Sequence, residues 1–305
     1  MNLELIPYKG EILALITAMT WAAAVICFKK SGENVHPIAL NLFKLILGVV
    51  FVFFTMLVMQ QMHYAAATFE DYWILIASGI IGIGISDTLF FRSLNILGAG
   101  LSAIVDCLYS PFVIFLCFCW IDERLSVWQI VGAVMILSAV LTVASRKGRA
   151  NLTRKELLKG LIYGVLAMIT VAVSIVMIKP MLCYVPLMWA IEIRLLGGLV
   201  ALLAILAFHG QRKNILRSLH NGPKWKYTII GSFLGGYISV IVWVAGMKFA
   251  QASIVAALNQ TSNIFIFVLA AFFLHEPLNR QRVVGIFLAM SGAILIIFAK
   301  QIFSF

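Results

Sequence analysis

Two stretches of the chain repeat one pattern. They run from Ala99 to Lys147 and, without a gap, from Ala252 to Lys300. Each contains an apolar run, a break around a glutamate and a second apolar run. The matching polar and glycine positions are Glu123 with Glu276, Gly132 with Gly285, Ser138 with Ser291 and Lys147 with Lys300. Matches of these residue types in a single register rarely arise by chance, so the pattern predicts a duplicated structural unit.

The duplication extends towards the beginning of the chain. With a similar offset, the matching pairs are Gly10 with Gly160, Thr20 with Thr170, Lys29 with Lys179, Lys44 with Arg194 and Gly48 with Gly198. The chain is therefore predicted to consist of two related halves, residues 1–148 and 149–305. A basic linker, Arg146 to Lys159, joins them.

Composition identifies the environment of these halves. Hydrophobic residues make up 63% of the chain and charged residues 11%, with a mean hydropathy of +1.04, whereas soluble proteins carry about 25% charged residues. Ten apolar runs are each long enough to cross a hydrocarbon core of about 30 Å. We number them segments 1 to 10, with predicted spans 11–29, 38–60, 72–92, 98–120, 127–145, 160–178, 185–208, 227–247, 252–274 and 282–302.

An odd number of spans in each half fixes the relation between the halves. Five spans carry the chain to the opposite side of the membrane, so the second half must be inverted relative to the first. The expected fold is an all-α integral membrane protein with ten transmembrane helices arranged as two inverted five-helix repeats. In this plan a substrate site lies near mid-membrane, between the repeats.

Segments 4 and 9 carry polar stripes at equivalent places. With the spacing of one helix face, the first stripe consists of Ser102, Asp106, Tyr109 and Ser110. The second consists of Asn259, Gln260, Ser262 and Asn263. In inverted halves the stripes face each other, so we predict that they line a cavity. Pro111 supports this prediction because its ring leaves the Cys107 carbonyl without a helical partner. The alternative is simple hydrogen bonding between helices, worth about 0.6 kcal/mol each.

Several ionisable residues lie within the predicted spans, where each costs roughly 2.5–3.5 kcal/mol without a partner. They are Lys44, Asp87, Arg92, Asp106, Glu192 and Arg194. The carboxylates of Asp87, Asp106 and Glu192 are the candidates for proton coupling. For Asp87, a fixed ion pair with a basic residue on another helix is favoured over that role. Arg92 lies near a span end, from which it can reach the interface.

Two further groups of residues are candidates for the walls of the cavity. Lys44 and Arg194 occupy equivalent positions in the two halves. For both residues, contact with the substrate is as well supported as a structural role, such as binding carbonyls at a helix end or the phosphate of a lipid. Aromatic residues in membrane bundles serve packing more often than ligand binding. Of the three aromatic candidates, Trp21 and Tyr237 are predicted to contact substrate, whereas Trp243 is left as a packing residue.

Other site types find no support in the sequence. The five cysteines lie in or beside apolar runs without a Cys-x-x-Cys pair, so neither a disulfide framework nor a metal site is predicted. No His-Glu-x-x-His sequence occurs and the histidines fall at loops or span ends, which disfavours an enzyme. The formal charge of +11 is spread over short loops, so it predicts membrane topology rather than a nucleic-acid partner. No cofactor is expected.

The pattern of several short motifs resembles a known family. They are Leu108 to Phe112, Asp122 to Ser126 and Gln129 to Ala133 in the first half, and His275 to Leu278 and Val283 to Gly285 in the second. Together with ten segments, they resemble the EamA-type carriers of the drug/metabolite transporter superfamily. The basic residue in segments 2 and 7 fits this family, whereas Ile264 in place of a second proline and Lys44 in place of an arginine depart from it.

The resemblance implies a transporter in the cytoplasmic (inner) membrane that exports small metabolites such as amino acids, driven by gradients. Its partners would be the lipid bilayer and a small-molecule substrate, and a monomer is compatible with this plan. A nucleotide or nucleotide-sugar exchanger is the alternative, which would require more basic residues in the cavity than Lys44 and Arg194. A lipid-handling membrane protein without transport activity is also open.

The orientation in the membrane is subject to two conflicting expectations. Apart from Lys44 and Arg194, sixteen of the lysines and arginines fall in or at the edges of the connections after odd-numbered segments, and five in or at the edges of the other connections and the termini. The positive-inside rule therefore places both termini outside the cell. The family resemblance implies that both termini lie in the cytoplasm.

Overall fold

The computed structural model describes residues 8–60, 66–121, 127–144, 153–220, 225–276 and 280–302. These residues form helices and no strand, and each of the ten predicted segments contains a helix. Segments 1, 2, 5, 6, 7 and 10 are the helices Lys9–Ser31, Pro37–Val58, Val127–Ala144, Arg154–Ile178, Leu187–Phe208 and Arg280–Ile302. The predicted break around Glu123 and residues 145–152, which include half of the predicted linker, lie outside the described residues.

Four segments are interrupted. Segment 3 consists of Phe69–Gly79 and Ser86–Leu97 joined by a π-helical turn, Ile80–Ile85, and segment 8 of Trp225–Phe233 and Ser239–Phe249 joined by the π-helical turn Leu234–Ile238. Segment 4 is divided into Ala99–Asp106 and Tyr109–Ile121, and segment 9 into Ala252–Asn259 and Ser262–Phe273. Short helices at Met181–Cys183 and Arg212–His220 flank segment 7.

Seven helical stretches in the described residues are long and apolar enough to cross a membrane, namely segments 1, 2, 3, 4, 6, 7 and 8. Segments 5, 9 and 10 contain shorter apolar helices, Ile130–Ala139, Ser262–Phe273 and Val283–Gly292.

Segments that match in the sequence repeat have matching neighbours in the fold. Segment 1 packs against segments 8 and 9, whereas its equivalent, segment 6, packs against segments 3 and 4. Segment 2 packs against segment 7, and segment 5 against segment 10. The two halves therefore interleave, and the interior of the bundle is built from both.

Lysines at equivalent positions bind the ends of equivalent helices. Lys29 Nζ donates to the carbonyl of Asn95 at 3.1 Å, near the end of segment 3. Lys179 Nζ donates to the carbonyl of Ala250 at 2.8 Å, just after segment 8. The last carbonyls of a helix have no partner within it, so a lysine satisfies them and also interacts favourably with the negative end of the helix dipole.

Glycines allow segments 3 and 7 to approach closely beside the interior. A methyl group placed on Gly79 would lie 2.0 Å from the carbonyl oxygen of Arg194. That oxygen belongs to the backbone of segment 7, so relieving the clash requires the two helices to separate. Gly79 is therefore needed for the present position of Arg194.

We expect Gly79→Ala to destabilise the protein by about 1–3 kcal/mol, the usual effect of overpacking. Thermal unfolding in detergent, followed by tryptophan fluorescence, should show a midpoint lowered by several degrees. The matched control is Gly210→Ala, because a methyl group there meets no atom within 4 Å. Equal midpoints for the two variants would contradict this account of the contact.

Candidate functional site

A cavity of about 110 Å³ lies between the two halves. Its wall is formed by residues from segments 1, 2, 3 and 4 of the first half and segments 6, 7, 8 and 9 of the second. Among the described residues, segments 5 and 10 contribute nothing to this lining. The cavity is therefore lined by residues of both halves of the chain.

The break in segment 4 places Asp106 and Tyr109 in the wall. Pro111 has no N–H, so the helix cannot continue through the preceding turn. The first helix ends at Asp106, and the second begins at Tyr109. A tight bond from Leu108 N to the Val105 carbonyl, 3.0 Å long, closes the turn between them. Both side chains at the break line the cavity.

Segment 9 breaks at the equivalent place without a proline. Thr261 Oγ1 donates to the carbonyl of Leu258 at 2.8 Å, and Thr261 N donates to the same carbonyl at 3.0 Å. These local bonds compete with the regular helical pattern. Asn259 and Gln260, which precede Thr261, line the cavity. The two polar stripes thus both lie where their helices are interrupted.

Asn263 connects the two breaks. Its side-chain nitrogen donates to Gln260 Oε1 at 2.7 Å and to Cys107 Sγ at 3.3 Å, across to segment 4. Asn263 is fully buried and does not itself line the cavity. It therefore supports the wall from behind and holds the two interrupted segments together.

The π-helical turns bring further polar groups into the wall. Asn41 Nδ2 donates to the Ile83 carbonyl at 3.0 Å and to the Gly84 carbonyl at 3.3 Å, within the π-helical turn of segment 3. π-helical turns frequently occur at functional sites. Directly after these turns, Ser86 and Asp87 of segment 3 and Ser239 of segment 8 line the cavity.

Lys44 and Asp87 form a buried ion pair in the wall. Lys44 Nζ contacts Asp87 Oδ2 directly, and the two side chains are 2% and 18% exposed. The ammonium group also lies 5.5 Å from the centre of the Phe91 ring. Each charge is therefore compensated within the protein, and such an ion pair is the interpretation of Asp87 that the sequence favours.

Arg194 is buried without a carboxylate partner. Its Nε donates to Ser78 Oγ at 3.0 Å and its Nη2 to Ser174 Oγ at 3.3 Å, so the partners are neutral hydroxyl groups. The Arg194 guanidinium also lies 5.9 Å from the centre of the Trp243 ring. Within the described residues no acidic side chain comes within 4.0 Å of it. The cavity wall therefore contains a guanidinium group whose charge is not paired.

Other polar groups in the wall are incompletely paired. Asp106 forms no ion pair with any described residue. Tyr109 Oη, Trp243 Nε1 and Asn259 Oδ1 are buried and have no hydrogen-bond partner in the described part of the chain. Because buried polar groups are nearly always hydrogen-bonded, several open groups around one cavity indicate a place for a polar solute or water.

Most of the predicted site residues lie in this wall, namely Trp21, Lys44, Asp87, Asp106, Tyr109, Arg194, Asn259 and Gln260. Trp243, which the sequence left as a packing residue, lies there as well, together with Thr17, Ser86, Phe90 and Ser239. The serines could have been suspected from the glycine-rich stretches that precede them, because these mark the interruptions of segments 3 and 8.

Four predicted residues lie away from the lining. Ser110 and Glu192 are buried outside the lining, each with an oxygen that has no hydrogen-bond partner among the described residues, and Asn263 supports the wall from behind. Tyr237 points to segment 2, where its hydroxyl lies 2.7 Å from Thr55 Oγ1 and its ring packs on Phe51 at 5.3 Å. The described residues also contain no cluster of three or more histidine, cysteine or acidic side chains suited to a metal ion.

Comparison with known proteins gives consistent matches. A family profile described as the EamA-like transporter family matches residues 8–145 and again residues 158–298. A protein from Archaeoglobus fulgidus named an uncharacterized transporter is 20% identical over 288 residues, which cover 94% of this chain and 97% of that protein.

Two Bacillus subtilis proteins match over part of their length. The uncharacterized transporter YxxF is 31% identical over 151 residues, and YoaV is 24% identical over 142 residues. These matches cover 46% and 48% of the two relatives, so they correspond to about one half of the chain. A solved crystal structure with 16% identity superposes with a TM-score of 0.66 over 98% of this chain, which supports the fold alone.

Proposed function

Because this chain belongs to the EamA-like transporter family and is a multi-pass membrane protein, we propose that it moves a small polar metabolite across the membrane by alternating access. The proposed pathway leads through the cavity between the two halves. The family is one of transporters rather than enzymes. We further propose that the protein resides in the inner membrane and works in the export direction.

The proposed architecture is a pair of inverted five-helix repeats, residues 1–148 and 149–305. Three observations support it. The family profile matches once in each half. Helix breaks occur at equivalent places in segments 4 and 9, and π-helical turns at equivalent places in segments 3 and 8. Equivalent segments also have equivalent neighbours. Such a plan would let the protein alternate between a state open to one side of the membrane and a related state open to the other side, with the cavity between the two halves.

We propose that the substrate is an amino acid or a related zwitterion. The observation that carries this proposal is the pair of charges in the cavity wall that lack ion-pair partners, Arg194 and Asp106. A buried charge without compensation is costly, so a ligand that supplies the opposite charge gains binding free energy. A zwitterion supplies a carboxylate for the guanidinium and an ammonium for the carboxylate.

The same wall disfavours a nucleotide exchanger. Phosphate groups carry several negative charges and require several basic side chains. The basic residues of the lining are Lys44 and Arg194, and Lys44 is already paired with Asp87. One uncompensated cation suits one carboxylate better than a diphosphate.

If transport is driven by protons, Asp106 and Glu192 are the groups that we propose as carriers. Neither forms an ion pair with a described residue, and Glu192 has a buried oxygen without a hydrogen-bond partner. Asp87 is the third predicted candidate, but its pairing with Lys44 favours a structural role.

Filling the cavity tests whether solute passes through it. Val240 lines the cavity, whereas Val242 lies two positions further along the same helix and outside the lining. An indole ring in place of the Val240 side chain would occupy much of the volume of about 110 Å³. We expect Val240→Trp to lower the initial rate of uptake into proteoliposomes more than tenfold.

Val242→Trp is the matched control and should retain most of the rate, because residues two apart lie on different helix faces. Thermal unfolding of both variants in detergent separates a blocked cavity from a damaged fold. Normal uptake by a folded Val240→Trp variant would show that the cavity is not the pathway.

A further inference from the structure

The connections that follow odd-numbered segments gather at one end of the bundle. Ser31 Oγ lies 2.6 Å from Thr228 Oγ1, which joins the ends of segments 1 and 8. Lys29 reaches Asn95 near the end of segment 3. Glu276, after segment 9, accepts hydrogen bonds from Ala99 N at 2.7 Å. We call this region the basic end, since its described cations include Lys29, Lys30, Arg92, Lys159, Arg212, Lys213, Arg217 and Lys226.

At the opposite end, three described lysines are engaged within the protein. Lys9 Nζ lies 3.5 Å from the centre of the Phe249 ring. Lys179 and Lys248 donate to carbonyls at helix ends, Lys248 to Val185 at 2.8 Å. The two ends thus differ in their number of described cations, and at the basic end Lys213 and Arg217 form no ion pair with a described residue.

The helix Arg212–His220 is fixed at the basic end by its own contacts. Ile215 is 2% exposed and packs into the core. Ser218 Oγ accepts a hydrogen bond from His36 N at 3.0 Å, at the start of segment 2. Arg212 Nη1 donates to the Ala207 carbonyl at 3.3 Å, in the last turn of segment 7. These contacts hold the helix against the bundle, so that its other face is directed away from the protein.

That outer face combines cations with an apolar side chain. Lys213 and Arg217 are exposed and lie one turn apart, so they share a face of the helix. Neither forms an ion pair with any residue that the structure describes. Leu216, between them in sequence, is 45% exposed. Trp225, which begins segment 8, is 37% exposed, as is common for tryptophan at a membrane interface.

We propose that Lys213 and Arg217 form a binding site for the headgroup of an anionic phospholipid, with Leu216 in contact with the upper part of its acyl chains. A basic, amphipathic helix that lies between two membrane spans is placed at the depth of the headgroups. Unpaired cations at that depth attract anionic lipids. The exposed leucine favours a lipid over a free phosphate ion, because the ion offers no apolar surface. This site is separate from the transport cavity and does not depend on the proposed substrate.

Native mass spectrometry of the delipidated full-length protein in detergent tests the site. Phosphatidylglycerol and phosphatidylcholine with identical acyl chains are titrated separately, and the dissociation constant of the first bound lipid is measured. We expect phosphatidylglycerol to bind at least five-fold more tightly, and Lys213→Gln with Arg217→Gln to remove most of that preference, in line with the known attraction of single cations for anionic lipid.

Two comparisons distinguish this site from general charge. Arg154→Gln with Lys155→Gln removes two exposed cations elsewhere and should leave the preference nearly unchanged. The charge-conserving change Lys213→Arg should keep it. Equal losses in both double variants, or no loss in the first, would overturn the proposal. Displacement of phosphatidylglycerol by millimolar inorganic phosphate would overturn it too, since the site would then be one for small anions.

Discussion

Replacing Asp106 with asparagine is expected to lower the initial rate of transport at least tenfold without unfolding the protein. The two side chains have nearly the same shape, so the change removes the charge and little else. Asp106 lines the cavity and has no ion-pair partner among the described residues. A charge-assisted hydrogen bond to a substrate ammonium contributes roughly 1.5–3 kcal/mol, or about ten- to hundred-fold.

The measurement is uptake of a labelled amino acid that the unaltered protein transports, with thermal unfolding in detergent as the check on folding. Glu70→Gln serves as the matched control, because it neutralises an exposed carboxylate at the start of segment 3, outside the cavity. A folded Asp106→Asn variant with an unchanged rate would remove Asp106 from the substrate site.

The second large effect concerns stability and involves Lys44 and Asp87. Removing one member of a buried ion pair leaves the other charge uncompensated, which typically costs 3–5 kcal/mol. Lys44 is 2% exposed and Asp87 18%, so neither charge is fully solvated after its partner is lost. We therefore expect Lys44→Met and Asp87→Leu to lower the unfolding midpoint strongly when made singly.

The double variant, Lys44→Met with Asp87→Leu, should recover much of this loss, because replacing both members of a buried pair by apolar side chains is often close to neutral. Thermal unfolding of the four proteins forms a double-mutant cycle. If the losses of stability in the two single variants simply added in the double variant, disruption of the ion pair would not explain the destabilisation.

Much of the cavity lining could be predicted because the sequence repeats. The match between segments 4 and 9 aligned Asp106 with Asn259, and an inverted repeat brings such positions together. Ionisable residues within membrane spans are costly and usually functional, and this rule led to the prediction of Lys44, Asp87 and Arg194 as site residues. Each of these residues lines the cavity. The break at Pro111 followed from its missing N–H.

Other features depended on three-dimensional contacts that periodicity does not contain. Within segment 8, Trp243 lines the cavity, whereas the Tyr237 hydroxyl contacts Thr55 of segment 2, and no periodicity in the sequence distinguishes these two aromatic residues. In segment 9 the local hydrogen bonds of Thr261 interrupt the helix, and no proline in the sequence indicates this break.

The interaction partners of the charged residues could not be predicted from the sequence either. Six ionisable residues in the spans allow many pairings, and spacing along one helix excludes only a few of them. The fold pairs Lys44 with Asp87 across segments 2 and 3, and surrounds Arg194 with serines from segments 3 and 6. Lys44 therefore has an ion-pair partner and Arg194 has none among the described residues, although both occupy the same place in their halves.

Counterflow in proteoliposomes tests the proposed function most directly. Purified protein is reconstituted in liposomes loaded with an unlabelled solute, and entry of the labelled solute is followed for amino acids, nucleosides, sugars and nucleotide sugars, with and without a pH gradient. We expect saturable accumulation of amino acids and none of nucleotide sugars, with strong loss in Asp106→Asn. Saturable exchange of nucleotide sugars, or no counterflow of any amino acid, would contradict the proposal that the cavity carries a zwitterion.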